Sequence, residues 1–517
     1  MSLPFWNPFV PAAALSDAPD GSGTSPRRLR IGILSFSSAQ FDSRSLRIAR
    51  SAVACGHEVT IYARWEPGLA REETADGYRI VRRPSPLGLL LPWRRARRIE
   101  GRDGFGAPPR KRATRERTAH APAATTAGAA TTAGAHVATG AETAVSAATA
   151  VSAHAAPQGA TSARVTRGGA GTLAIRALGA PLRPVRRVRS RVTRRLLSRV
   201  KPFPLMPMAW AIALDDVLEP ADIWHGMWAT SLPALARAHS RHGGRTIYDC
   251  RDILLRSGHY ERMPRTGRRF LERFERHWAR ACDAIITVNE SYAEIAERLF
   301  GTSRPAVVMN CPERWEPPSP RPDRIRQALG ISPSIDVVLY QGSLKTHRGI
   351  EESMQAILLV PRACLVLLGF GPDRERYRAL SATEPYRGHL YVLDAVPPQD
   401  LLEWSASADV MVMAIQSSSL NHRYTTPQKL FEGLAAGVPV VASDLPGMAP
   451  IVRSTGGGEL CDPASPESIA DALQRILGAS ADARAAYGQR ALQAAHATYN
   501  WEAQLQVLGK VYGRLLA

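Results

Sequence analysis

The feature that most constrains this chain lies between Arg30 and Tyr62. Arg30-Ile-Gly-Ile-Leu-Ser35 reads as a short apolar strand. Ser45 to Cys55 repeats apolar residues at helical spacing, and Gly56 closes that helix. Glu58-Val-Thr-Ile-Tyr62 returns as a second strand. A strand, a crossover helix and a strand make a βαβ unit, so the two strands lie parallel in a sheet that must be covered on both faces.

The same rhythm recurs. Ala221–His225, Thr246–Tyr248, Ala284–Val288 and Ala306–Met309 read as strands, with helices over Phe270–Arg280 and Ser291–Phe300. Five prolines between Pro312 and Pro322 interrupt the pattern as a linker would. A second series then begins. Its strands are Asp336–Tyr340, Ala363–Leu368, His389–Leu393, Val410–Ala414 and Val438–Ala442. Its helices are Ile350–Leu358, Pro427–Ala436 and Pro466–Leu477, and Ala483–Leu516 is helical throughout. The sequence therefore predicts a loose leader (1–28), an N-terminal α/β domain (29–315), a linker (316–325), a C-terminal α/β domain (326–482) and a terminal helix (483–517) that crosses back to the first domain.

Charge is concentrated in one place. The net charge is +20, and residues 94–201 hold 22 Lys/Arg against 4 Asp/Glu, so the remainder is close to neutral. The centre of that segment is mostly Ala, Thr, Gly, Val and Ser. Such a stretch cannot build a core and is expected to be disordered. Its end, 183–201, interleaves Leu and Val with Arg and could lie on an anionic membrane surface. Almost no aromatics are present to stack on bases, which argues against nucleic acid. A merely solvated insertion is the remaining alternative. No apolar run reaches the ~18–20 residues of a membrane span. Six cysteines without a C-x-x-C pair, and no basic-then-apolar leader, suggest a cytoplasmic protein.

Two stretches carry chemistry. In Tyr340-Gln-Gly-Ser-Leu-Lys-Thr-His-Arg-Gly349 a strand ends, Gly342 permits a turn and a helix starts near Ile350. Helix-start N–H groups with Lys345 and Arg348 beside them suit a diphosphate. The alternative is a surface turn with two solvated charges. In Tyr424-Thr-Thr-Pro-Gln-Lys-Leu-Phe-Glu-Gly-Leu-Ala-Ala-Gly437, Thr425 and Gln428 fit a capping box, and Glu432 falls within an apolar helix. A buried carboxylate needs partners, either sugar hydroxyls or a structural cation. Gly369-Phe-Gly371 lacks a third glycine and reads only as a turn. The acidic pairs Glu72-Glu73, Asp215-Asp216 and Asp249–Asp252 form no recognisable metal site.

These blocks, with Gly56-His-Glu-Val-Thr60, Tyr248-Asp249, Ala281–Val288 and Asp394–Leu401, resemble the retaining glycosyltransferases of family 4. The resemblance implies a GT-B fold, two Rossmann-like domains facing across a cleft. It also implies a metal-independent hexosyltransferase-like enzyme using a UDP- or GDP-linked sugar, no cofactor, and a glycan or lipid-linked acceptor in cell-envelope or exopolysaccharide synthesis. The donor site falls in about 338–445. Carried over residue by residue, Glu432 holds the ribose, and Arg348 with Lys345 clamps the leaving diphosphate. Gly342, Ser343, Gly349, Tyr424, Thr425, Thr426 and Lys429 border the donor, and main-chain groups of Ala395 and Val396 meet the base. Asp42 and Arg251 are the acceptor-side candidates. Two departures stand out. Tyr424 occupies the place of the first Glu of the E-x7-E motif, and Ser343 that of an Arg. An epimerase on the same fold, or a catalytically idle binding scaffold, are the competing readings.

Overall fold

The computed structural model describes residues 7–9, 27–40, 42–87 and 201–517. The basic insertion expected at 94–201, apart from Lys201, and most of the expected leader lie outside these residues.

The first sheet has eight strands in the order β3-β4-β2-β1-β5-β6-β7-β8. They are β1 Arg30–Ser35, β2 Glu58–Arg64, β3 Glu72–Ala75, β4 Tyr78–Arg83, β5 Ile223–Met227, β6 Arg245–Cys250, β7 Ala284–Thr287 and β8 Ala306–Val307. All neighbours run parallel except β3, which pairs antiparallel with β4. The second sheet, order β11-β10-β9-β12-β13-β14, is parallel throughout. Its strands are β9 Asp336–Ser343, β10 Ala363–Phe370, β11 Leu390–Leu393, β12 Val410–Met413, β13 Val440–Ser443 and β14 Gly458–Cys461.

The helices that shape the cleft are α1 Ser43–Ala54, α2 Leu232–His242, α3 Arg265–Arg280, α4 Glu290–Phe300, α5 Ile350–Ile357, α6 Leu420–Arg423, α7 Gln428–Ala435, α8 Pro466–Leu477, α9 Ala481–Ala497 and α10 Trp501–Leu516. Each sheet is packed on both faces. One N-terminal core gathers Trp210, Trp224 and Tyr248, and the other gathers Ile31, Ile33, Ile61 and Trp501.

Four expectations need correction. The leader is not loose throughout. Phe9 is buried, its ring 5.0 Å from that of Tyr512, and Asn7 donates to Gln506. An apolar ring that can leave water on α10 does so. The strand at Tyr340 does not end there but continues as β9 through Ser343. No capping box forms, because Pro427, not Thr425, is the N-cap of α7 and makes no side-chain cap bond. The terminal helical stretch is two helices. α9 packs on α7 within the C-terminal domain, and only α10 reaches the N-terminal domain.

α10 is fastened there by Trp501 Nε1 to Ser51 (2.8 Å) and by the Tyr512 hydroxyl to His225 Nδ1 (2.8 Å). The chain thus crosses between domains within 308–323 and again at 498–500. Trp501 N donates to the Pro312 carbonyl at 2.7 Å, so the two crossings run side by side.

Candidate functional site

On the C-terminal side the site begins where β9 and β10 end. Gly369 can lie there only because it lacks a side chain, since a Cβ would sit 1.9 Å from the Gly342 carbonyl oxygen. The loop after β9 carries Lys345 and Arg348 and closes at Gly349. Gly349 has φ +74, and a Cβ would sit 1.9 Å from the Ala414 oxygen, so only glycine lets α5 start against the end of β12.

Three cations converge on this corner. Burial, then the charge of Arg348, pushes the Lys345 ammonium down to about 8. Burial, then Arg348, pushes Lys429 down to about 7, against the pull of Glu432. The Lys429 ammonium stands 3.7 Å from the Tyr340 ring centroid and next to Gly342, where a Cβ would be 3.4 Å away. The Arg348 Nε is buried and has no hydrogen-bond partner among the described residues. His422 is pushed down to about 4 by burial and by Arg348, Lys345 and His347. Positive charge is in excess here, and an anion would relieve it.

Glu432 is 7% exposed on α7. Gln341 at the end of β9 donates to its Oε2, and the Ser405 hydroxyl donates to Gln341 Oε1 at 2.7 Å. Burial raises the carboxyl's pKa, opposed by the Gln341 bond and by Arg47 and Lys429. The structural-cation alternative is therefore met only at a distance, and the direct partner is an amide.

The N-terminal face is built differently. Arg44 and Asp249 are both fully buried and form an ion pair at 2.6 Å. Burial pushes the Asp249 carboxyl up, but Arg44, His225 and Arg251 outweigh it and hold it down at about 2. Asp42 caps α1, accepts from the Ser35 hydroxyl at 2.9 Å and pairs with Arg251 at 3.0 Å. The Arg251 guanidinium lies 3.5 Å over the Trp228 ring. The two acceptor-side candidates thus come together. They line a cavity of about 260 Å³ with Ser43, Asp252, Asn310, Thr425 and Thr426, so both domains contribute.

The loop before α7 joins the domains. Asn289 Nδ2 donates to the Tyr424 carbonyl (2.8 Å) and to Thr426 Oγ1 (2.9 Å), while Ser43 and Asn310 both donate to Gln428 Oε1. The Tyr424 side chain packs against the N-terminal core. Ala395 and Val396 follow β11 at the far edge of the second sheet. Ala395 is exposed, and Val396 packs near Leu401 and Trp404. Ser343, at the end of β9, is half-buried. Gln341, His422, Asn289, Trp228 and Arg47 were not signalled by sequence, since each acts through a partner distant in the chain. Among the described residues no group of three His, Cys, Asp or Glu is placed to hold a metal ion.

Two α/β domains on mainly parallel sheets, the second carrying a buried acid and an excess of cations at the ends of its strands, make up the architecture. Residues 144–312 match the family described as Glycosyltransferase Family 4, and residues 322–494 match Glycosyl transferases group 1. The chain belongs to the family 4 glycosyltransferases. It is 27% identical over 249 residues to a D-inositol 3-phosphate glycosyltransferase of Corynebacterium urealyticum, covering 45% of this chain and 57% of that one. It is 28% identical over 202 residues to an uncharacterized glycosyltransferase of Methanocaldococcus jannaschii, covering 37% and 50%. It spans about half the length of these relatives. Among solved structures, a sucrose-phosphate synthase from Thermosynechococcus elongatus superposes with TM-score 0.61 at 15% identity, over 95% of this chain and 99% of that one. This supports the GT-B fold.

Proposed function

We propose that this chain transfers a sugar from a UDP- or GDP-linked donor to an acceptor hydroxyl, with retention at the anomeric carbon. The observation that carries the reading is the set of three cations, Lys345, Arg348 and Lys429, gathered beside the buried Glu432 with no carboxylate salt-bridged to any of them among the described residues. A diphosphate has the charge to occupy that corner, and a ribose has the paired hydroxyls to engage Glu432.

In this mechanism the diphosphate oxygens gain charge as the glycosidic C–O bond breaks. Cations already in place stabilise that charge without reorganisation. The acceptor hydroxyl approaches from the cavity lined by Asp42 and Arg251, and its proton leaves with the departing diphosphate. The base lies toward Ala395 and Val396. The acceptor is a glycan or lipid-linked precursor of the cell envelope, and the basic stretch 183–201 brings the protein to an anionic membrane surface. The work is done in the cytoplasm. No helix among the described residues is long and apolar enough to cross a membrane.

Thermal shift against UDP and GDP tests the donor site, because a ligand that binds only the folded state raises apparent stability. One of the two should stabilise the protein, and Glu432→Ala should remove the shift. Equal shifts in wild type and Glu432→Ala would overturn the assignment.

A further inference from the structure

α3 presents a surface that the cleft chemistry does not use. Between Arg262 and Arg280 every exposed residue is Arg, Pro, Thr, Phe or His, and none is acidic. The two acids of the helix are buried. Glu272 pairs with Arg256 and Arg268, and Glu275 accepts from the Tyr248 hydroxyl at 3.1 Å. At about 100° per residue, Arg265, Arg269 and Arg273 fall within roughly a quarter turn of one another. None of the three forms an ion pair among the described residues. The acids of neighbouring α4, the exposed Glu290 and Glu294 and the half-buried Glu297, are engaged by Arg298 and Arg304 instead.

Beside this stripe stands Phe270, 59% exposed. It is propped from beneath, since its ring packs edge-on against Phe274 at 5.1 Å, Phe274 against Trp278 at 5.9 Å, and Trp278 against Phe203 at 6.2 Å. A ladder of half-buried rings ending on the buried Phe203 therefore holds one ring out in water next to a row of unpaired guanidinium groups.

We infer that α3 is the face by which this domain lies on an anionic lipid surface. Arg265, Arg269 and Arg273 would sit over headgroups, with the Phe270 ring in the acyl boundary. Cations flanking an aromatic along one side of a helix about 24 Å long match an interfacial helix lying in the membrane plane. Nucleic acid would answer the charge, but a single ring on a convex helix offers no stacking platform or groove. The position also fits. α3 follows in the chain the segment that carries Arg251 and Asp252, and Arg256 of that segment is ion-paired with Glu272 of α3 at 2.8 Å, which ties the helix to it. The segment Lys201–Leu205 enters the described fold against this same helix, as the Phe203–Trp278 contact shows. The inference stands apart from sugar transfer, because vesicle binding requires no turnover.

Co-sedimentation of the full chain with vesicles tests it. Wild type should bind vesicles containing about a third phosphatidylglycerol and not vesicles of phosphatidylcholine alone. R265E/R269E/R273E should lower the partition coefficient about 100-fold, at roughly fivefold for each arginine lost. Phe270→Ser should lower it severalfold, even in salt that screens the charges. All these residues are exposed, so unchanged melting temperatures will show that the variants fold. Failure of wild type to bind the anionic vesicles would overturn the inference. So would variants that bind as wild type does, which would locate binding elsewhere, such as 183–201. Variants that lose duplex DNA binding while keeping vesicle binding would assign the face to nucleic acid.

Discussion

The two walls of the cleft treat charge in opposite ways. On the N-terminal wall Arg44 is paired with Asp249 and Arg251 with Asp42. On the C-terminal wall Lys345, Arg348 and Lys429 repel one another, offset only in part by Glu432 and, from across the cleft, by Asp252, and none of the three is salt-bridged among the described residues. Charge already paired holds a backbone in place, whereas charge left unpaired stores affinity for something that arrives later. On the proposed function, the contrast separates the part of the site that is scaffold from the part that would receive the ligand.

The largest effect should come from breaking the scaffold. Arg44→Met leaves Asp249 buried without its cation, at a cost of about 3–5 kcal/mol. Denaturant unfolding should show the N-terminal domain unfolding well before the C-terminal one. A variant as stable as wild type would show that the pair is not structural.

Next comes the receptor. Arg348→Ala should weaken binding of the nucleoside diphosphate by about 2–3 kcal/mol, measured by calorimetry, while the unliganded protein melts no lower than wild type. A loss of stability equal to the loss of affinity would erase the contrast between the walls.

Smaller still is a pH effect. Lys345 and Lys429 lose their protons near 8 and 7 in the free protein, and diphosphate binding favours the protonated forms. Affinity should therefore fall by about tenfold or more from pH 6 to pH 9. Stability of the unliganded fold has the opposite sign. The folded pKa of Lys429 lies below its unfolded value, so the unfolded state holds more protons between them. This group's contribution thus becomes more favourable as pH rises from about 7 toward the ordinary lysine value. Lys429→Met should weaken both trends and leave the smaller share that Lys345 contributes nearer pH 8, as seen in affinity and melting measured across that range.

Much of the fold was legible because buried parallel strands spell themselves in Val, Ile and Leu. The strands that escaped show why the rest was not. β4 ends in Arg82 and Arg83, which broke the apolar pattern, yet Arg82 is only 1% exposed. Its guanidinium is met by the Ser38 and Ala70 carbonyls and by Glu73, while Arg83 meets Glu72. The acidic pair that looked idle in the sequence is half of a hairpin turned at Asp76-Gly77. β14 was missed because it is four residues long and contains Glu459, which Arg475 and Tyr487 satisfy from neighbouring helices. In the site, Glu432 was visible as an acid amid apolar residues. Gln341 and His422 were not, because their roles depend on strands and loops that meet only after folding.

The adjacent crossings at Pro312 and Trp501 set how this molecule can move. Two connections bonded to each other behave as one pivot. A swing about that place changes the gap between Glu432 and the Asp42–Arg251 pair, and the Asn289–Tyr424 and Ser43–Gln428 bonds across the cleft hold that gap at the spacing described.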